Sequence, residues 1–108
     1  MLTHISDSEL VLIKLIWKNG GEILFSEIID LMAQEKIISK KNVVLTHLSR
    51  LVDKEFLYVI KIGRRNKYIA RYSENEYRIA KTKEFIDRVY KGNVKELTYT
   101  LQGLIWPR

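Results

Sequence analysis

The chain has 108 residues, enough for one compact core and too few for a multi-step catalytic architecture. It has no cysteine, which excludes disulfides, thiolate metal sites and cysteine nucleophiles. Its formal charge of +6 is unevenly placed: residues 1–37 carry three basic and six acidic groups, residues 38–72 nine and two, and residues 73–108 seven and five.

The start, MLTHISDSEL, lacks the charged opening and apolar run of a signal peptide. No apolar stretch approaches membrane-spanning length, so a soluble cytoplasmic chain without membrane insertion is expected. Ser6 and Glu9 form an S-x-x-E capping box, and Ile5 is placed to staple onto Leu10. A first helix is predicted to Trp17, turning Leu10, Ile13, Ile16 and Trp17 inward and stopped by Gly20-Gly21. Residues 22–24 can add a short strand. A second helix, roughly Phe25–Glu35, buries Ile28, Ile29 and Met32. Its start lacks an N-cap, since Leu24 holds that place, and Ser26 is the nearest substitute.

The surplus of positive charge begins next. On Lys40–Lys54, Val44, Leu48, Leu51 and Val52 share one face of a 3.6-residue period. The opposite face carries Asn42, Val43, Thr46, Ser49 and Arg50. Phe56–Ile62 and Lys67–Tyr72 read as strands, with Gly63-Arg64-Arg65-Asn66 turning between them. A helix pinned by one face and followed by a cationic hairpin is the core of a winged helix-turn-helix, which lays a helix in the DNA major groove. The local charge is the footprint such a surface needs, although a charge run that is only a solvated face is the plainer alternative.

Val43, Thr46 and Arg50 leave the helix on one side. Arg50 suits a guanine edge or a phosphate, Thr46 a base or a phosphate, and Val43 a thymine methyl. Lys40, Lys41 and Asn42 stand at the helix start, where phosphates are favoured. Arg64 and Arg65 at the wing tip grip phosphate or enter the minor groove, and Lys67 completes the expected DNA-binding set. Tyr68 and Tyr72 either hydrogen-bond phosphates or pack within the sheet. His47 falls between the two faces; it reads as a partly buried structural histidine, with a DNA contact or a pH switch as the alternative.

Ser73 and Glu76 make a second capping box, opening a helix to about Tyr90. Gly92-Asn93 breaks it, and Val94, Leu97, Tyr99, Leu101, Leu104 and Ile105 suggest a last helix, ended at the latest by Pro107. One small domain cannot cover these apolar side chains. A second copy is expected to bury them, through Tyr77, Phe85, Ile86, Val89, Val94, Leu97 and Leu101. The expected fold class is mainly α with a small β-wing. Residues 1–72 form a winged-helix DNA-binding domain and residues 73–108 a helical dimerisation element. No enzyme is expected: two distant histidines make no metal site, the acids are scattered, and no phosphate loop or nucleophile motif appears. Neither catalytic residue, metal nor cofactor is called for.

With these elements placed, the sequence resembles the penicillinase, methicillin-resistance and copper repressor family (BlaI/MecI/CopY). The likeness runs through ISDSELVLIKLIW, SEIIDLM, Thr46 with RLVDK, and above all GRRNKYIARYSENEYRIAKTKEFIDRVYKGNVKEL. The resemblance implies a homodimer on an inverted repeat of TACA/TGTA type. It puts the DNA contacts at Asn42, Val43, Thr46, Arg50 and the wing arginines, and the dimer in the last two helices. It also implies a protease that relieves repression by cleavage in the last helix, where Thr100-Leu101 replaces the family's Asn–Phe bond. The copper branch works through a cysteine-rich tail, and this chain holds no cysteine. Val43 replaces a usual threonine, His47 a core leucine, and Glu55 a glycine that closes the third helix in a left-handed conformation. The function expected is a dimeric transcriptional repressor on a palindromic operator in double-stranded DNA. The alternative is a winged-helix protein-interaction module, or a heterodimerising antagonist of a full-length repressor, without an operator of its own.

Overall fold

The computed structural model describes residues 3–106. In chain order these form α1 (Asp7–Lys18), β1 (Glu22–Leu24), α2 (Phe25–Gln34), α3 (Lys41–Asp53), β2 (Leu57–Ile62), β3 (Arg65–Ala70), α4 (Glu74–Tyr90) and α5 (Val94–Ile105). Pro107, expected as the outer limit of the last helix, lies outside the described residues.

The first capping box forms in both directions. Ser6 Oγ accepts the Glu9 N–H at 3.2 Å and Glu9 Oε1 accepts the Ser6 N–H at 2.9 Å. The inward face of α1 differs from the expected one. Leu12, Ile13, Leu15 and Ile16 are buried, while Leu10 and Trp17 are half-buried. The reason is that α1 is the central element, packed against α2, α3 and the sheet at once, so its apolar arc is wider than a single stripe. Trp17 is held by its indole N–H, which donates to the Tyr72 carbonyl at 2.7 Å. At the start of α2 the capping partner is Glu27 rather than Ser26: its carboxylate accepts the Leu24 N–H at 2.9 Å, while no side chain caps from the Leu24 position.

The three strands lie in the order β1-β3-β2, all antiparallel. Ile23 and Val59 flank Tyr68, and Leu57 lies opposite Ala70, so Ile23, Tyr68 and Leu57 are buried on the inner face. There they join Ile13, Ile16, Ile28, Leu48, Leu51 and Phe56 in one core. The hairpin turn is tighter than expected. Ile62 pairs with Arg65, so only Gly63 and Arg64 turn, and Arg65 and Asn66 belong to β3. Gly63 has φ +63° and Arg64 is not left-handed, the pattern of a two-residue type II′ turn. Phe56 and Tyr72 fall just outside the strands. Their rings meet edge to face, 6.0 Å apart.

Helices α1, α2 and α3 end in the same way. The N–H two residues past the cap reaches back to the third-last helical carbonyl: Gly21 to Ile16 at 2.9 Å, Ile37 to Met32 at 2.8 Å, and Phe56 to Leu51 at 2.9 Å. This Schellman closure needs a left-handed residue. Gly20 supplies it for α1 (φ +84°), but Lys36 (φ +57°) and Glu55 (φ +65°) supply it for α2 and α3. An L-residue in that conformation costs on the order of 1 kcal/mol. Glu55→Gly is therefore expected to raise stability by about 1 kcal/mol, read as an upward shift of the urea midpoint at unchanged slope.

Two compact units divide the chain, Thr3–Glu74 and the residues from Asn75 onward. In the second, none of the described side chains of α4 or α5 is buried. Asn93 caps α5, its side-chain oxygen accepting the Glu96 N–H at 3.2 Å.

Candidate nucleic-acid interface

Helix α3 is fixed by Val44, Leu48 and Leu51, all fully buried, with Val52 half-buried at the margin. The 3.6-residue period then forces Asn42, Val43, Thr46, Ser49 and Arg50 outward, and all five are exposed. Asp53 shares that face at the far end of the helix, beyond Arg50. No side chain caps the start of α3, which stands beside exposed Lys40 and Lys41. The Thr46 hydroxyl donates to the Asn42 carbonyl at 2.9 Å.

On the wing, Arg64 occupies the tip of the turn, and Arg65 projects from the outer face of β3, in register with Ile62. Among the described residues none of Lys40, Lys41, Arg50, Arg64 and Arg65 has a carboxylate partner, so their charge is directed to solvent. Lys67 differs. Its ammonium is half-buried and paired with Glu22 at 2.7 Å, so it reaches DNA only by giving up that partner. Tyr68 is buried in the sheet. Between α3 and the wing tip lies a hollow of about 330 Å³ lined by Leu24, Phe25, Ser26, Leu45, Arg64, Arg65 and Asn66. Leu45, 41 % exposed, went unmarked in the sequence because it flanks the apolar stripe without joining it.

His47 is half-buried on the other flank of α3, at the rim of a smaller hollow of about 150 Å³ that includes Val11, Met32, Ile37 and Ile38. At the rear of the helix, Glu9 is buried and its Oε1 also accepts from Lys54 Nζ at 2.8 Å. Burial works to raise the Glu9 pKa, yet the Lys54 ammonium and the Ser6 hydrogen bonds outweigh it and hold the carboxyl below its ordinary value. A depressed native pKa contributes stability that is present above the unfolded-state pKa and lost as the pH falls through the native one. Urea midpoints should therefore fall on acidification through the carboxylate range, and Glu9→Gln should flatten that fall.

On α4 and α5 the expected contact residues are accessible to different degrees. Tyr77, Ile86 and Leu97 are half-buried; Phe85, Val89, Val94 and Leu101 are exposed. Burial, with nearby Glu84, pushes the Tyr77 phenol pKa up, so it stays neutral. The structure adds Ile79 and Leu104, exposed by 61 % and 74 %. Val94, Leu97, Leu101 and Leu104 on α5 are spaced by three and four residues, and Ile79, Ile86 and Val89 on α4 by seven and three, the spacing of a helix-pairing seam. No helix among the described residues is long and apolar enough to cross a membrane.

A helix with its polar face free, beside a two-residue β-turn tipped with arginine, defines a winged-helix DNA-binding protein. The chain matches the penicillinase repressor family model over residues 5–102. It is 32% identical over 96 residues to the penicillinase repressor of Bacillus licheniformis, covering 89% of this chain and 73% of that one. Among solved structures it is similar to the DNA-binding domain of the repressor BlaI, with a TM-score of 0.60 and 32% identity over 71% of this chain and 92% of that one. The chain belongs to the penicillinase repressor family, and it is a DNA-binding transcriptional repressor, not an enzyme.

Proposed function

We propose that the protein acts as a homodimer on a palindromic operator, each copy placing α3 in the major groove and its wing on the flanking backbone. The observation that carries this reading is the exposed set on α3, opposite its buried face and adjoining cations that have no carboxylate partner among the described residues. Arg50, Thr46, Val43 and Asn42 meet base edges or phosphates. Lys40, Lys41, Arg64 and Arg65 meet phosphates, with Lys67 as a further contact. Affinity comes chiefly from phosphate neutralisation and discrimination from α3. The apolar residues of α4 and α5, Tyr77, Phe85, Ile86, Val89, Val94, Leu97 and Leu101, join two copies. Two-fold symmetry in the protein then matches two-fold symmetry in the operator. Repression is relieved by a protease acting in α5 near Thr100–Leu101, both exposed.

Selection of bound fragments from a random duplex pool tests this reading: an inverted repeat bound by two chains supports it. A pool that remains random at low salt would end it. Removing both wing arginines, Arg64→Ala with Arg65→Ala, should flatten the log affinity against log salt plot by about 1.8, the value for two phosphates. An unchanged slope takes the wing out of the interface.

A further inference from the structure

Glu9 is the only charged residue among those described that is buried, at 1 % exposure. Its Oε1 serves both the Ser6 N–H (2.9 Å) and Lys54 Nζ (2.8 Å), while Oε2 is buried and has no hydrogen-bond partner. The capping box requires only the first of these bonds. Holding a carboxylate out of water with one oxygen bare is unfavourable in itself, so the pair calls for a role beyond capping α1.

Lys54 is the cap of α3, and its own N–H donates to the Arg50 carbonyl at 2.9 Å. The next residue, Glu55, turns the chain toward β2 and the wing. A single side chain thus ties α1 to the turn of helix that carries Arg50 and to the junction of the two DNA-facing elements. The other residues that hold α3 inward, Val44, Leu48 and Leu51, are apolar. Apolar burial selects the face of α3 that turns inward but is itself non-directional. A charge-assisted hydrogen bond is directional.

We propose that Glu9, acting through Lys54, is a positioning residue for operator reading: it sets the rotation of α3 that aims Arg50 at a base edge. The inference rests on the base-reading role of Arg50 given above. The test compares affinity for the selected operator with affinity for random-sequence duplex, well below the unfolding temperature of each variant. In Glu9→Gln with Lys54→Met the tether is gone and no bare charge is left behind. The ratio of the two affinities is expected to fall by roughly two- to thirtyfold. The same pair of changes should cost little further selectivity in an Arg50→Ala background. Lys54→Gln, whose amide still donates to Glu9, should keep the ratio.

A double variant that melts earlier but keeps its ratio would make Glu9 a stability residue only and overturn the proposal. A loss undiminished by Arg50→Ala would overturn it too. Should the double variant not fold, Glu9→Gln alone, which removes the ion pair without leaving a bare carboxylate, serves for the same comparison, with a smaller fall expected and the same two overturning outcomes. If Arg50→Ala itself leaves the ratio unchanged, the fault lies with the base-reading role and not with the tether.

Discussion

Leu97→Asp should convert a dimer into a monomer and lower operator affinity on the order of a hundred- to ten-thousandfold, the gain that linking two half-site contacts normally confers. Leu97 is half-buried within its own chain and lies between Val94 and Leu101 on α5. A carboxylate there meets the same residue's carboxylate, or an apolar neighbour, wherever two copies pack on this face. Phe85→Glu on α4 should act in the same direction; Phe85 is 40 % exposed and also meets the Tyr90 ring edge to face at 5.7 Å. Binding to random DNA should change far less, since α3 and the wing of each copy remain intact. Sedimentation of the unaltered protein gives the control. If it is already monomeric at the concentrations used for DNA binding, the dimer reading is wrong.

The second large effect concerns Arg50→Ala, for which specific binding should weaken by about 1–3 kcal/mol. The guanidinium is exposed, has no ion pair among the described residues and stands on the same side of α3 as Thr46. A planar fork at that place suits the paired acceptors of guanine, and losing it should narrow the gap between operator and random duplex. A phosphate contact would instead weaken both by similar factors and reduce the salt slope by about 0.9. Anisotropy titrations on the two duplexes at several salt concentrations separate these outcomes. Equal losses on both assign Arg50 to the backbone.

The sequence made the winged-helix core legible because its strongest signals are local. Ser6 with Glu9, Gly20 with Gly21, and the run Val44, Leu48, Leu51 each specify geometry within a few residues. Where neighbours distant in sequence decide, the reading was less complete. Leu12 and Leu15 are buried because three elements surround α1, which a single stripe does not reveal. Asn66 looked like a turn residue, but Gly63 and Arg64 close the hairpin and leave Asn66 paired with Lys61. Lys36 carries no side-chain signal of its left-handed backbone, and Ser26 gave way to Glu27 as the partner at the start of α2. The candidate DNA face followed from helical period and charge, whereas the Glu22 partner of Lys67 lies across the sheet and was out of view.

The bond from Thr46 to the Asn42 carbonyl bears on how that hydroxyl presents itself. While that bond holds, its only hydrogen is engaged within the helix and the oxygen offers lone pairs alone; reaching a phosphate oxygen requires the bond to be given up. In the wide groove the complementary groups are the exocyclic amines of adenine and cytosine, while the carbonyl oxygens of guanine and thymine offer it nothing to accept.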